Sequence, residues 1–292
     1  MNNIYLTSCF SLDFDLELLD QFISHYKSLG IKKENFLLVL NVFKDFNNLK
    51  KGLKILEKHE INPGDIWCQE YESEEKWERV HRLLSKKTNE NHWVIHPDAD
   101  EFFQFPDTLE NLTFQMNKSG VNAIQGFLID RVSDNGKVKK VSSNTDLSIF
   151  DQFPVKANFA NLIGLTGVKL MMYKGHMRAN NGSGQIHKAC HKMVNYIHGG
   201  KDSLHMTKFA VSFLGNWSAE KTIKYNPKNF TKEVYNKIEK EYGFIVHHFK
   251  WHGEVLNKLE QRCQTYKRLG RPQMIQSKRL LDHYKENKRF VF

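Results

Sequence analysis

With 292 residues, 40% of them hydrophobic, the chain can bury a substantial core as one large domain or as one domain with an appended lobe. No stretch approaches the roughly 18 apolar residues that cross a bilayer, the opening Met1-Asn2-Asn3-Ile4-Tyr5 lacks the regions of a signal peptide, and Cys9, Cys68, Cys190 and Cys263 are too dispersed for a disulfide framework or zinc ribbon, which together predict a cytoplasmic protein with buried thiols. A formal charge of +10 draws polyanions such as nucleic acid, anionic lipid or phosphate-bearing substrates without choosing among them.

Ile4 to Thr7 reads as a strand, and Leu16, Leu19, Phe22, Ile23, Tyr26 and Leu29 then recur at helical spacing until Gly30. Phe36 to Phe43 is almost wholly apolar, as in a strand covered on both faces. Leu49, Leu53 and Leu56 mark a second helix, Asp65 to Cys68 a third strand, Trp77, Val80, Leu83 and Leu84 a third helix, and Trp93 to Ile95 a fourth strand. Strands alternating with helices predict an α/β fold with a mainly parallel sheet, whose ligands bind beyond the carboxyl ends of the strands. At one such end stand Asp98, Asp100 and Glu101, beside Trp93, Phe102, Phe103 and Phe105. Carboxylates this close repel unless a cation or a donor network offsets them, so a divalent metal site competes here with a solvated acidic turn.

After residue 120 the rhythm changes. Ala123 to Val132 is a strand, Asp134-Asn135-Gly136 a turn and Val138 to Val141 a return strand, which predicts a hairpin. An apolar run, Val168 to Tyr173, precedes the glycine- and asparagine-rich loop Asn180 to Gly184. From Glu254 onward Val255, Leu256, Leu259, Cys263, Tyr266 and Leu269 are helix-spaced, and Lys267 to Arg289 adds eight basic residues interleaved with apolar ones. Such a basic amphipathic tail is a solvated helix face or a peripheral contact with an anionic membrane, while no nucleic-acid-binding signature accompanies the charge.

The strand order together with Asp98-Ala99-Asp100-Glu101-Phe102 resembles the GT-A glycosyltransferases, in particular the family-2-like group with a D-x-D-E-F motif. Three further segments are similar to that group and fall in its order: Ile129 to Gly136 (D-R-V-x-x-D/N-G), Asp151 to Pro154 (Q-F-P) and His247 to Trp251 (H-x-F/Y-K-W). The resemblance implies one GT-A-like catalytic domain over 1–292: a mainly parallel sheet flanked by helices, with a nucleotide-sugar-binding half at 1–120, a mixed acceptor-side half at 121–253 and a basic helical tail at 254–292. It implies a hexosyltransferase moving a sugar, with inversion, from a nucleotide donor, UDP-linked first, to a hydroxyl of a glycan or glycolipid. Manganese or magnesium would sit on Asp98 and Asp100 with His247 or His248, Asp98 alternatively touching the donor itself and Glu101 orienting the loop. On the donor side the resemblance and topology place Thr7 and Ser8 at the nucleoside, Asp45 at the base, Lys250 toward phosphate and Arg131 among the donor-binding residues. The expected general base is Asp130, then Asp151, then His187, although Asp130 could instead pair with Arg131 and His187 could be an ordinary loop histidine.

Rival readings are weaker on the residues. His187, Cys190, His191 and His198 cluster as if for zinc, yet no H-E-x-x-H accompanies them and Gly199-Gly200 disfavours a helix there. A nucleotidyltransferase would carry a glycine-rich, arginine-bearing loop where this chain has Thr7 to Ser11. A non-catalytic basic module remains the alternative from another class, and the P-loop, dinucleotide and G-x-S-x-G fingerprints are absent.

Overall fold

A computed structural model describes residues 4–118, 123–142, 147–159, 162, 168–177, 179–180, 185–186, 236, 239–240, 243–271 and 273–290. The first half alternates as its sequence requires: β1 (Ile4–Ser11), α1 (Leu19–Ser28), β2 (Phe36–Asn41), α2 (Phe46–Lys58), β3 (Asp65–Trp67), α3 (Ser73–Lys87) and β4 (Trp93–Ile95). Then come β5 (Glu101–Gln104), α4 (Leu109–Lys118), β6 (Ala123–Val132), the single turn α5 (Ile149–Gln152), β7 (Val155–Ala157) and β8 (Val168–Lys174). The short strands β9 (Ala179–Asn180) and β10 (Gln185–Ile186) pair with each other, and β11 (Ile245–His248), α6 (Val255–Arg268) and α7 (Gln273–Asn287) complete the described elements.

The main sheet runs β3-β2-β1-β4-β8-β6-β11-β5, with β7 beside β6. Its pairings give β1, β2, β3, β4, β6 and β11 one direction and β5, β7 and β8 the other, so the sheet is mainly parallel with a mixed second half. Helices cover both faces of the first half. Phe22, Ile23 and Leu56 of α1 and α2 pack with Leu6, Phe10, Leu38 and Leu40, while Trp77, Val80 and Leu84 of α3 pack with Cys9, Leu37, Val39 and Val94. Burial on both sides is why β2 is apolar from Phe36 to Leu40, up to its last residue Asn41.

The expected hairpin after Val132 does not form. Val141 donates its N–H to Glu17 (3.2 Å), Gly136 adopts a left-handed φ of +72° and accepts from Phe290 N (2.8 Å), and the end of β6 pairs with β7 instead. The C-terminal tail turns its apolar side inward: Leu259, Leu280, Leu281 and Tyr284 pack with Trp251 and Phe290, leaving Lys267, Lys278, Arg279, Lys285, Lys288 and Arg289 exposed. Its amphipathic pattern is thus accounted for within the fold. Among the described residues no helix is long and apolar enough to cross a membrane. The thiols are not uniformly buried as expected: Cys9 is buried and Cys263 half-buried, but Cys68 is exposed just past β3, and Cys190 lies outside the described residues.

Candidate active site

Residues 96–100 join β4 to β5, which are separated in the sheet by β8, β6 and β11. The acidic turn therefore passes the ends of those three strands: Lys169 from β8 and His248 from β11 reach it directly, and Asp130 from β6 stands behind His248. Buried Tyr26 holds the backbone beyond the turn, donating to the Glu101 carbonyl (3.0 Å) and accepting from Phe103 N (3.1 Å). Phe249 N donates to the Asp100 carbonyl at 2.7 Å.

The carboxylate of Asp98 is taken up by two buried lysines. Lys76, in the first turn of α3, bonds Oδ1, and Lys169 bonds Oδ2 at 2.6 Å and Glu101 Oε1 at 2.9 Å. Glu101 Oε2 accepts from Asp98 N at 2.8 Å, closing the turn as a ring. Burial opposes ionisation of Asp98, yet Lys169 and Lys76 hold its carboxyl below the usual range. Burial pushes the Glu101 carboxyl up.

Asp100 is met differently. His248 Nε2 lies 3.6 Å and Lys258 Nζ 3.9 Å from its Oδ2, both beyond hydrogen-bonding length. The other imidazole nitrogen of His248, Nδ1, bonds Asp130 Oδ1 at 2.8 Å. His248 and Asp130 are register partners in the parallel pair β6/β11, so they leave the sheet on one face. Burial lowers the pKa of His248, but the carboxylates on either side override it and raise it to about 9. For Asp100, burial is likewise outweighed, by His248 and then Lys258, and its carboxyl sits well below the usual range.

Above the turn lie further cations. Lys258 pairs with Asp15 at 2.7 Å, and Asp15 and Glu17 flank buried His252, tying α6 to the segment after β1. Lys250 is pushed down to about 8 by burial and by neighbouring Arg262. Arg262 Nε and Gln261 Oε1 are buried without a hydrogen-bond partner. Residue pattern alone missed Lys76, Lys169, Lys258 and Arg262. For the last two a signal existed: 255, 258, 259, 262 and 266 form one helical stripe, and two of its members are cations.

Other expected residues fall elsewhere. Asp130 is 2% exposed and accepts from Phe159 N (2.7 Å) and Trp251 Nε1 (3.1 Å) as well as meeting His248. It does not pair with Arg131, which donates to the Phe153 carbonyl (3.0 Å) and braces the 149–153 segment. Asp151 is exposed and bonds Ser148 Oγ at 2.6 Å, within the cap of α5. His247 faces the opposite way, bonded to Gln104 Oε1 (3.0 Å) and edge-on to Phe150. Because β1 continues to Ser11, Thr7 and Ser8 are mid-strand and buried. Thr7 donates to the Leu37 carbonyl at 3.1 Å, and the end of the strand falls at Ser11 instead. Asp45 caps α2 through Asn47 N (2.9 Å). His187, His191 and His198 lie outside the described residues.

Among the described residues no three His, Cys, Asp or Glu side chains group as a metal cage. Asp100 and His248 nevertheless suit a cation that brings ligands of its own. Their facing atoms are 3.6 Å apart, within the roughly 4 Å that two ligands of one ion span, and the second nitrogen of His248 rests on a carboxylate, as metal-bound histidines usually do.

No family model matches the chain, and no curated protein matches it. Among solved structures, S. aureus TarS 1-349 aligns with a TM-score of 0.34 and 10% identity over 90% of this chain and 64% of its own. The same protein in complex with UDP-GlcNAc aligns with a TM-score of 0.34 and 9% identity over 100% of this chain and 93% of its own. A 4-diphosphocytidyl-2C-methyl-D-erythritol synthase aligns with a TM-score of 0.29 and 14% identity over 60% and 76%. The chain thus spans less than two thirds of the length of the first of these, and likenesses of this strength carry no inference about chemistry.

Proposed function

We propose that this chain is a metal-assisted glycosyltransferase of GT-A type, transferring a sugar from a nucleotide donor, UDP-linked first, to a hydroxyl of a glycan or glycolipid with inversion. The observation that carries the reading is the face-to-face pair Asp100 and His248 at the carboxyl end of the sheet, with Lys250 and Arg262 beside it. In this reading Asp100 and His248, the latter after releasing the Nε2 proton it carries in the metal-free protein, would hold manganese or magnesium, which as a Lewis acid would neutralise charge developing on the departing nucleoside diphosphate. Asp130 and Trp251 keep the His248 ring aimed. Lys250 supplies a point charge to the diphosphate, and its depressed pKa means that an arriving anion restores its full protonation. With Asp130 committed to three donors, Asp151, exposed at the cap of α5, is the next of the expected bases among the described residues. The exposed basic tail offers an electrostatic contact to an anionic membrane.

The test is binding and turnover of UDP-, GDP- and dTDP-sugars with and without manganese, alongside Asp100→Ala. Metal-dependent turnover lost in the variant supports the proposal and names the donor. Salt-sensitive polyanion binding with no sugar-nucleotide binding would replace it with a basic binding module.

A further inference from the structure

The acidic turn carries more positive charge than a metal site needs, and that charge is unevenly placed. Both oxygens of Asp98 are occupied by the ammonium groups of Lys76 and Lys169, each residue 6% exposed, whereas neither cation facing Asp100 is within hydrogen-bond reach. Lys169 also grips Glu101, whose second oxygen accepts from Asp98 N, so the two lysines and two carboxylates form a closed set. For Asp98 to ligate a cation it would have to bring that charge against the two ammonium groups already bonded to its oxygens, or give up its pairing with buried Lys76, and both are unfavourable. Asp100 surrenders no hydrogen bond in doing so.

Resting on the transferase reading, we propose that Lys76 and Lys169 are positioning residues that lock Asp98 out of the coordination shell. The cation then takes protein ligands from Asp100 and His248 alone and its remaining ligands from the donor diphosphate and water. The acidic turn is consequently shaped before any metal arrives. A site with two protein ligands holds a free ion weakly and gains it together with the nucleotide, as expected of hard cations carried on phosphates.

Manganese uptake read by electron paramagnetic resonance, with and without UDP, separates the two aspartates. Asp100→Asn should weaken manganese binding by roughly tenfold or more, and Asp98→Asn by no more than about twofold, against the loss typical of a disturbed metal shell. Lys169→Met should tighten manganese binding, because it frees a carboxylate, and the gain should vanish in the Lys169→Met/Asp98→Asn double variant. That double variant removes opposite charges together, so it also decides the matter if Asp98→Asn alone does not fold by circular dichroism. A loss in Asp98→Asn or in the double variant equal to that in Asp100→Asn overturns the inference while leaving the transferase reading intact. Wild-type protein that takes up no manganese with or without UDP overturns both.

Discussion

At the scale of single residues, the site is governed by which groups are already spoken for. Asp130 looked like a base in the sequence because it precedes Arg131 in a recognisable motif, yet the partner that defines it, His248, lies 118 residues away. Only the register of β6 against β11 brings them together. If Asp130 acts by aiming His248, Asp130→Asn should lower kcat/KM by about 10- to 100-fold, the usual effect of changing a histidine's supporting carboxylate. Truncation in Asp130→Ala should in addition cost about 3–5 kcal/mol in urea unfolding, since the histidine is left charged and buried without one of its partners. A variant that binds donor normally but loses all turnover would instead return Asp130 to the role of base. Lys250→Met is expected to raise the donor KM by about 10- to 100-fold, the worth of a charge-assisted hydrogen bond to phosphate, with unchanged urea stability. A donor KM equal to that of the wild type would remove Lys250 from the site.

At the scale of elements, the alternating strands and helices of the first half were legible because each carries a local signal: apolar runs buried on two faces, amphipathic spacing, and Gly30 at φ +92° ending the α1 region. The second half was less legible because its pairings are non-local. Val138 to Val141 has a strand's composition, but its backbone partners come from Glu17 and His252. The buried lysines on Asp98 could not have been foreseen, since an isolated lysine on α3 or β8 reads as solvated until the sheet order is known. Gly126 shows the same dependence on neighbours. A Cβ there would lie 2.2 Å from Met171 Sδ and 2.8 Å from the Phe244 carbonyl, where β6 crosses close to β8 and the start of β11. The methionine can move aside and the backbone carbonyl cannot. Gly126→Ala should therefore destabilise the protein by about 1–3 kcal/mol in urea unfolding. A variant within about 0.5 kcal/mol of wild type would mean that this approach is loose.

At the scale of the whole molecule, pH integrates the buried histidines. Burial lowers the pKa of His25, His96 and His247 below the ordinary 6.5, so each is carried neutral in the folded state. The unfolded chain protonates them near pH 6.5 and the folded chain does not, so their contribution is complete above that value and is lost as pH falls toward their folded pKa values. Each can contribute a slope of up to about 1.4 kcal/mol per pH unit, and the three act together. His248 has the opposite sign. Its pKa of about 9 in the fold means that its contribution is complete below pH 6.5 and declines as pH rises to about 9. Three groups on one side against one on the other predict, for metal-free protein, maximal stability near pH 6.5 and a steeper fall on the acid side than toward pH 8. His25 offers the cleanest check because its ring, packed on Tyr26 and Phe102, bonds only the Phe103 carbonyl through Nε2 (2.9 Å). His25→Gln keeps a donor for that carbonyl but cannot titrate. Urea unfolding of this variant between pH 5 and 6.5 should show a shallower slope than wild type, by up to about 1.4 kcal/mol per unit. An unchanged slope would mean that His25 is protonated in the fold, and with it that burial does not control the acid limb.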